Sequence, residues 1–201
     1  AYGTQLFWPL TVPPTSWATL FIIDPLFTLP LLAAAIMTAF MPTRRWSKPV
    51  LVTALSVSSA YLAWSWAAQA TVKRHVYEEL AEVGLDGAPV FATPTPFNTL
   101  LWRVVVQTGD GYLEGFDSLL LEEPEIDFEF YPSDAAALQE AEDIWAVRRL
   151  RWFSRDFLKA EVRDGRLLLS DLRMGQEPVY VFTHSVAERS NPGWREIKTE
   201  L

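Results

Sequence analysis

Two long apolar runs dominate the first third of the chain. Residues 17–41 carry a single charge, on Asp24, and residues 50–72 carry none. At about 1.5 Å per helical residue, each run exceeds the roughly 30 Å of hydrocarbon in a bilayer. The pattern predicts a membrane hairpin of two transmembrane helices over residues 17–72, preceded by a non-helical segment over residues 1–16.

After residue 87 the apolar positions alternate with polar ones instead of recurring at helical spacing. Alternation with a period of two is typical of half-buried β-strands. Asp110-Gly111 and Asp164-Gly165 stand between such segments and have the chemistry of tight hairpin turns. The predicted strands cover residues 100–107, 112–119, 126–131, 157–162, 166–172, 179–187 and 194–198.

One helix is predicted inside this region, over residues 135–151. Ser133 or Asp134 can cap it, because both side chains accept hydrogen bonds from the free N–H groups of a first helical turn. The fold class is therefore a membrane α-helical hairpin followed by a soluble α+β domain, residues 73–201, with a mainly antiparallel sheet and a helix laid against it.

Charge separates the two parts of the chain. The net charge is −8 overall, and residues 73–201 carry 24 acidic and 14 basic residues, which gives that part −10. An acidic domain is expected to repel nucleic acid and anionic lipid, which argues against a DNA- or RNA-binding role. The chain has no cysteine, which rules out disulfides and thiolate metal ligands.

The short loop between the apolar runs is basic and indicates the orientation. It carries Arg44, Arg45 and Lys48, so the positive-inside rule places it in the cytoplasm and the acidic domain on the outer side. Lys73 and Arg74 directly follow the second run and argue for the opposite orientation, although the loop holds the larger count. Membrane lipids are the first partners that this pattern predicts.

Few residues could ligate a metal. The only histidines are His75 and His184, and there is no HExxH motif. His75 is interpreted as a solvated or headgroup-facing residue, and His184 as a residue at the edge of the core with one hydrogen bond. A zinc site built by this chain alone is not expected, because such sites need at least three protein ligands.

Two arginines in apolar strands are candidate binding residues. Arg103 lies within the apolar run 100–106, and Arg173 ends another strand just after Asp171. A buried arginine requires a carboxylate, so an Arg103–Asp171 ion pair is one expectation. The alternative is that Arg103 and Arg173 bind the anionic group of a substrate.

Asp24 stands in the first apolar run, directly before Pro25. An ionised carboxylate deep in lipid is costly, by roughly 2.5–3.5 kcal/mol on insertion scales, so it must be protonated, paired, or turned towards a polar cavity or a metal. The structural alternative is that the helix begins only near Leu26 and that Asp24 caps it at the membrane interface. The sequence leaves these two interpretations about equal.

Several strings of the chain closely resemble the YdjM-like inner-membrane proteins of bacteria, which are described as metal-dependent hydrolases. The strings are YGTQLFWPL at residues 2–10, FIIDPLFTLPLL at 21–32, TPTPFNTLLWRVV at 93–105 and LSDLRMGQEPVYVF at 169–182. In that family they follow a membrane-embedded part rich in histidine and aspartate. The resemblance therefore implies that this sequence is the C-terminal portion of a longer multi-pass protein of the bacterial inner membrane.

The resemblance also implies site residues and an activity. Asp24 would ligate a divalent metal ion, with zinc expected, or support its site. Tyr2 and Gln5 would contact the metal ligands and not the metal itself. The longer protein would hydrolyse an ester or phosphoester, with a lipid as one candidate substrate, and its other metal ligands would lie in the preceding transmembrane part. The alternatives are a non-enzymatic membrane-anchored binding or interaction module and, third, a transport accessory in which Asp24 relays protons.

Overall fold

Two helices precede a region of strands. The computed structural model describes residues 3–12, 14–41, 45–121 and 126–197. Helices α1 (Pro25–Phe40) and α2 (Ser47–Glu82) form the hairpin. Its antiparallel arrangement follows from two contacts, in which Ser58 bonds to Phe27 and Tyr61 bonds to Asp24.

Helix α1 is shorter than the apolar run that predicted it. It begins after Asp24, has 16 residues and includes Pro30, so its length of about 24 Å falls below the hydrocarbon thickness. Pro25 occupies the first helical position, where its missing N–H has no carbonyl to serve. It therefore starts the helix and does not break it, and a crossing of the membrane by α1 remains a prediction.

Helix α2 joins the two parts of the chain. With 36 residues, about 54 Å, it is the one helix of the described residues that is long and apolar enough to span a membrane. The helix ends at Glu82, and Gly84 follows with φ +72°, a backbone conformation that glycine adopts readily. Its last turns bury Val76 and Leu80 against strands, so the C-terminal part of α2 belongs to the β domain's core.

The β domain, defined here as residues 90–197, contains two four-stranded antiparallel sheets and a two-stranded ribbon. The sequence predicted one sheet, and it predicted neither the strand over residues 90–94 nor the strand over residues 175–176. Sheet 1 has the order β1-β2-β3-β4, sheet 2 the order β10-β9-β6-β5, and β7 pairs with β8. The strands are β1 Val90–Pro94, β2 Leu101–Gln107, β3 Gly111–Ser118, β4 Glu129–Pro132, β5 Leu158–Arg163, β6 Arg166–Asp171, β7 Gly175–Gln176, β8 Val179–Tyr180, β9 Thr183–Arg189 and β10 Trp194–Glu196.

Strand β2 is covered on both faces. Trp102, Val104 and Val106 pack in the core that α2 shares with sheet 1, whereas Val105 packs with Phe157 and other residues between the sheets. Alternate side chains of a strand point to opposite faces, so this division follows directly from the period of two. It also explains why Arg103 is buried: it shares the face of Val105, towards sheet 2.

The predicted helix 135–151 is divided into α3 (Ala135–Glu140) and α4 (Trp145–Ser154), so the single helix was wrong. Asp134 does cap α3 by accepting a hydrogen bond from the Ala137 N–H. In one straight helix Val147 would lie about 120° away from Ala141, six residues earlier. The break allows both to pack against sheet 2, where both are buried.

Candidate binding site where the hairpin meets the β domain

The chain segment before α1 is held between α2 and strand β1. The Gln69 side-chain amide of α2 donates to the carbonyl oxygens of Trp17, at 2.8 Å, and Ala92, at 3.1 Å. Ser65 donates to the Thr19 carbonyl, and the Trp17 ring lies 5.4 Å from the Trp66 ring. These contacts fix residues 16–24 across the junction of the hairpin and the β domain.

Asp24 lies at the start of α1 and is only 2% exposed. Its Oδ1 accepts hydrogen bonds from the N–H groups of Leu26, at 3.0 Å, and Phe27, at 3.2 Å, and its Oδ2 accepts one from the Tyr61 hydroxyl at 2.9 Å. Asp24 therefore caps helix α1, as one of the two interpretations of the sequence expected. Its side chain is buried between the two helices of the hairpin, where it also bonds to Tyr61.

Arg103 pairs with Glu114 instead of Asp171, so the expected Arg103–Asp171 pair was wrong. Its Nε and Nη2 each donate to a different oxygen of Glu114 at 2.9 Å, and its Nη1 donates to the Leu172 carbonyl at 2.8 Å. In the register of β2 and β3, Val105 is opposite Glu114. Arg103 and Glu114 are therefore diagonal neighbours on one face, a position that long side chains can bridge.

Asp171 is bonded to Arg173. Its Oδ1 accepts from the backbone N–H of Arg173 at 3.0 Å and from Nε at 2.9 Å, while its Oδ2 accepts from Nη2 at 2.6 Å. Both side chains are nearly buried, and the guanidinium carbon lies 5.1 Å from the centre of the Phe153 ring. The short separation along the chain places the two groups together without help from a second strand.

A polar network extends the Arg103–Glu114 pair between the two sheets. Tyr180 donates to Glu114 at 3.1 Å and lies 3.0 Å from the Tyr112 hydroxyl, which bonds to Glu177. Lys159 of sheet 2 donates to the same Glu177 oxygen at 2.7 Å. The network joins strands of both sheets to the β7–β8 ribbon.

Burial shapes the ionisation of this network. It raises the pKa of Tyr112 and of Tyr180 above the ordinary value of 10.0, and for Tyr112 the hydrogen bonds with Glu177 and Tyr180 act in the same direction. Burial alone would raise the pKa of Glu177 as well. The hydrogen bonds from Lys159 and Tyr112 outweigh it, so the pKa of Glu177 is lowered. At neutral pH the tyrosines are neutral donors, and Glu177 is ionised.

Both predicted binding arginines line one cavity of about 300 Å³. One wall is the segment just before Asp24, another is the end of β1 and the loop that follows it, and the third is the ribbon region after Arg173. The lining is largely apolar, and Arg103 and Arg173 supply its positive charge. The lining residues are Leu20, Phe21, Ile22, Thr93, Pro94, Thr95, Pro96, Arg103, Arg173, Met174, Gly175, Gln176 and Val181.

The other predicted site residues lie elsewhere. Tyr2 is outside the described residues. Gln5 lines a separate groove with Trp8 and residues of α4, and no part of that groove is formed by Asp24. His75 lies 3.1 Å from Asp117 Oδ2. Among the described residues there is no group of three or more histidine, aspartate or glutamate side chains that could hold a metal.

The histidine in the second sheet is more exposed than predicted. His184 lies in β9 and is exposed, where the sequence indicated the edge of the core. A register shift between Leu167 and Leu168 interrupts the pairing of β6 with β9. An irregularity of this kind changes which side chains of a strand face inwards. Val186 and Ala187 are buried there while His184, stacked against Phe182, stays outside.

Sequence reasoning missed the partners that complete the site. Gln69, Tyr61 and Glu114 were not singled out, although Gln69 is the one amide in the otherwise uncharged run 50–72. An amide in such a run requires a hydrogen-bonding partner, so this signal was available. Glu114 offered no such signal, because its role depends on the pairing of two strands.

The architecture defines a class of protein in which a helical hairpin with a helix able to span a membrane carries a mainly antiparallel β domain. The model of the YdjM inner membrane protein family matches residues 1–72. This match confirms the resemblance over residues 1–72, and it supports a location in the inner membrane. No curated protein and no solved structure matches the chain.

Proposed function

We propose that this chain is a membrane-anchored binding module whose junction cavity takes an amphiphilic molecule with an anionic group. The observation that carries the proposal is the lining of the 300 Å³ cavity. Leu20, Phe21 and Ile22 form one wall directly before the membrane hairpin, and Arg103 and Arg173 form the charged part. Ligand sites commonly combine an apolar lining with a few fixed polar groups.

The arginines keep donors available for a ligand. A guanidinium carries five N–H donors. Within the described part of the chain, Arg103 uses three of them, on Glu114 and Leu172, and Arg173 uses two on Asp171. The carboxylates of Glu114 and Asp171 fix the positions of the two guanidinium groups. Binding of an anion therefore costs less side-chain conformational entropy. Carboxylates, sulfates and phosphates are the anions that arginine binds most readily.

The position of the cavity favours a ligand taken from the membrane. Its apolar wall ends two residues before Asp24, which caps the first hairpin helix. Ile22 is also 61% exposed, so the cavity wall continues onto an apolar outer surface. An amphiphile can enter from the bilayer along this surface while its charged group remains at the level of the headgroups.

Native mass spectrometry of the chain in maltoside micelles tests the proposal with oleate as the probe. Val181→Trp fills the cavity, since Val181 lines it, and should lower oleate occupancy about fivefold. Val179→Trp is the matched control, because Val179 has a similar exposure, 70% against 63% for Val181, but lies outside the lining. Equal oleate binding by the wild type and both variants would contradict the proposal.

A metal-dependent hydrolase is the second candidate, and the resemblance supports it. The acidic residue that this candidate requires, Asp24, is a buried carboxylate beside the anchor. Its Oδ1 accepts hydrogen bonds from the N–H groups of Leu26 and Phe27, and its Oδ2 accepts one from the Tyr61 hydroxyl. Among the described residues, no histidine forms a metal-binding group with Asp24. These residues do not by themselves fit a resident metal, so metal-assisted hydrolysis is proposed only for a protein that brings further ligands to Asp24.

Metal analysis separates the two candidates. The purified chain should contain less than stoichiometric zinc or manganese and should not turn over a phosphoester. In a longer protein with the additional ligands, Asp24→Asn should lower metal content and activity while the helix keeps its cap, because asparagine caps about as well as aspartate. Unchanged metal content and activity in that variant would leave Asp24 with its structural role alone.

A further inference from the structure

A second, smaller cavity of about 110 Å³ adjoins the first and is rich in positive charge. Arg173 belongs to the lining of both cavities. The small cavity lies between α2, the segment before α1, strand β1 and the end of α4. Its lining residues are Ser16, Trp17, Ala18, Gln69, Lys73, Val90, Phe91, Ala92, Arg155, Phe157 and Arg173.

The charges of this lining are not balanced by acids. Among the described residues, the lining contains Lys73, Arg155 and Arg173 and no carboxylate. Arg173 is paired with Asp171, but within the described part of the chain neither Lys73 nor Arg155 forms an ion pair. Arg155 Nη2 donates to the Pro14 carbonyl, at 2.7 Å. Two uncompensated cations therefore face one cavity in a domain that is otherwise strongly acidic.

The small cavity lies farther from the hairpin than the larger cavity does. On α2 it is lined by Gln69 and by Lys73, the first charged residue after the uncharged run 50–72. The apolar wall of the larger cavity leads instead to Asp24, which bonds to Tyr61 further down the same helix. Trp17, another lining residue, packs against Trp66 of the same helix, and tryptophan is enriched at membrane interfaces. Basic pockets beside membrane helices are suited to anionic lipid headgroups, and the order of the two cavities would place the head of such a lipid above its chain.

We propose that the small cavity binds a phosphate group, held by Lys73 and Arg155, and that this phosphate is the head of the lipid whose chain occupies the larger cavity. The inference rests on the proposed function for the apolar chain and adds the class of the ligand, a lipid with a phosphate monoester or diester. Arg173 stands where the two cavities meet and contacts the ligand between its charged head and its apolar chain.

Dioleoyl phosphatidic acid and dioleoylglycerol test the headgroup, because they differ only in the phosphate. Native mass spectrometry in maltoside micelles should show about tenfold tighter binding of the phosphatidic acid. Lys73→Gln and Arg155→Gln should each reduce that preference several-fold without changing the binding of dioleoylglycerol. Arg74→Gln is the matched control, because Arg74 is adjacent in sequence but exposed and near Glu78, and it should have no effect.

The outcomes distinguish this inference from the proposed function. If both lipids bind equally and Val181→Trp weakens both, the phosphate site is overturned and the apolar cavity stands. If Val181→Trp changes neither lipid, the apolar cavity fails as well. Inorganic phosphate is the third probe. If millimolar phosphate competes with lipid binding in a way that depends on Lys73, and phosphatidic acid is not preferred over dioleoylglycerol, the site binds free phosphate. That result would overturn the proposed lipid headgroup.

Discussion

Arg103 and Glu114 form a two-pronged ion pair in which both N–O distances are 2.9 Å and both side chains are almost completely buried. The pair lies on neighbouring strands of sheet 1, while the third bond of Arg103 reaches Leu172 at the end of sheet 2. One guanidinium therefore couples strand pairing within a sheet to packing between sheets. Breaking it should affect the whole β domain.

Glu114→Gln should destabilise the protein strongly. Removing one partner of a buried ion pair leaves an uncompensated charge and typically costs about 3–5 kcal/mol. Thermal unfolding of the detergent-solubilised chain, followed by near-ultraviolet circular dichroism, measures the effect. Glu161→Gln is the control, since its pair with Arg163 is exposed and should contribute little. A double variant, Arg103→Met with Glu114→Leu, should recover part of the lost stability. Similar unfolding midpoints for the wild type, the two single variants and the double variant would refute the structural role of the Arg103–Glu114 pair.

The stability of the β domain should fall above pH 10. The folded-state pKa of Tyr112 and of Tyr180 is raised above the unfolded value of 10.0, so the stability they contribute is fully present below pH 10.0. It is lost as the pH rises towards the folded pKa, because the unfolded state releases its protons first. Urea unfolding between pH 8 and pH 12 should show this slope, and Tyr112→Phe should reduce the slope by about one proton.

A matched tyrosine separates this effect from general alkaline damage. Tyr77 of α2 is 45% exposed, so Tyr77→Phe should leave the slope unchanged. The same slope in the wild type and Tyr112→Phe would mean that Tyr112 ionises equally in the folded and unfolded chain. That result would contradict the buried network.

Gln69→Glu should loosen the junction between the hairpin and the β domain. A carboxylate cannot donate, so the carbonyls of Trp17 and Ala92 lose their donor, and each unsatisfied group costs about 1–3 kcal/mol where it is buried. We expect a lower thermal midpoint and faster proteolysis of the segment before α1. Gln139→Glu, at an exposed position of α3, controls for the added charge, and equal proteolysis of the two variants would argue against the junction contact.

The orientation of the hairpin can be measured with single cysteines, because the natural chain has none. The basic loop predicts that a cysteine replacing Ser47 lies on the cytoplasmic side and one replacing Ser190 on the outer side. An impermeant thiol reagent added to intact cells should then label only position 190. Labelling of position 47 alone would reverse the orientation, and labelling of both on one side would mean that α2 does not cross the bilayer.

The sequence determined the features that depend on local chemistry. The uncharged run 50–72 predicted a helix, and α2 covers this run, because the run contains neither glycine nor proline that would interrupt it. Its crossing of a membrane stays a prediction. Asp164-Gly165 forms the predicted tight turn, with φ of 51° and 71°, since these residues tolerate left-handed backbone. The cap at Asp134 is likewise a contact between residues close in the chain.

Only the tertiary structure decided which distant groups meet. Arg103 was expected at Asp171 and pairs with Glu114, because strand register and sheet packing fix the neighbours of a buried side chain, and a single sequence does not contain them. The break between α3 and α4 and the second sheet have the same origin, since both serve packing across layers. The two cavities follow from how the segment before α1 lies across the β domain, so Arg173 acquires a place in both only when the chain is folded.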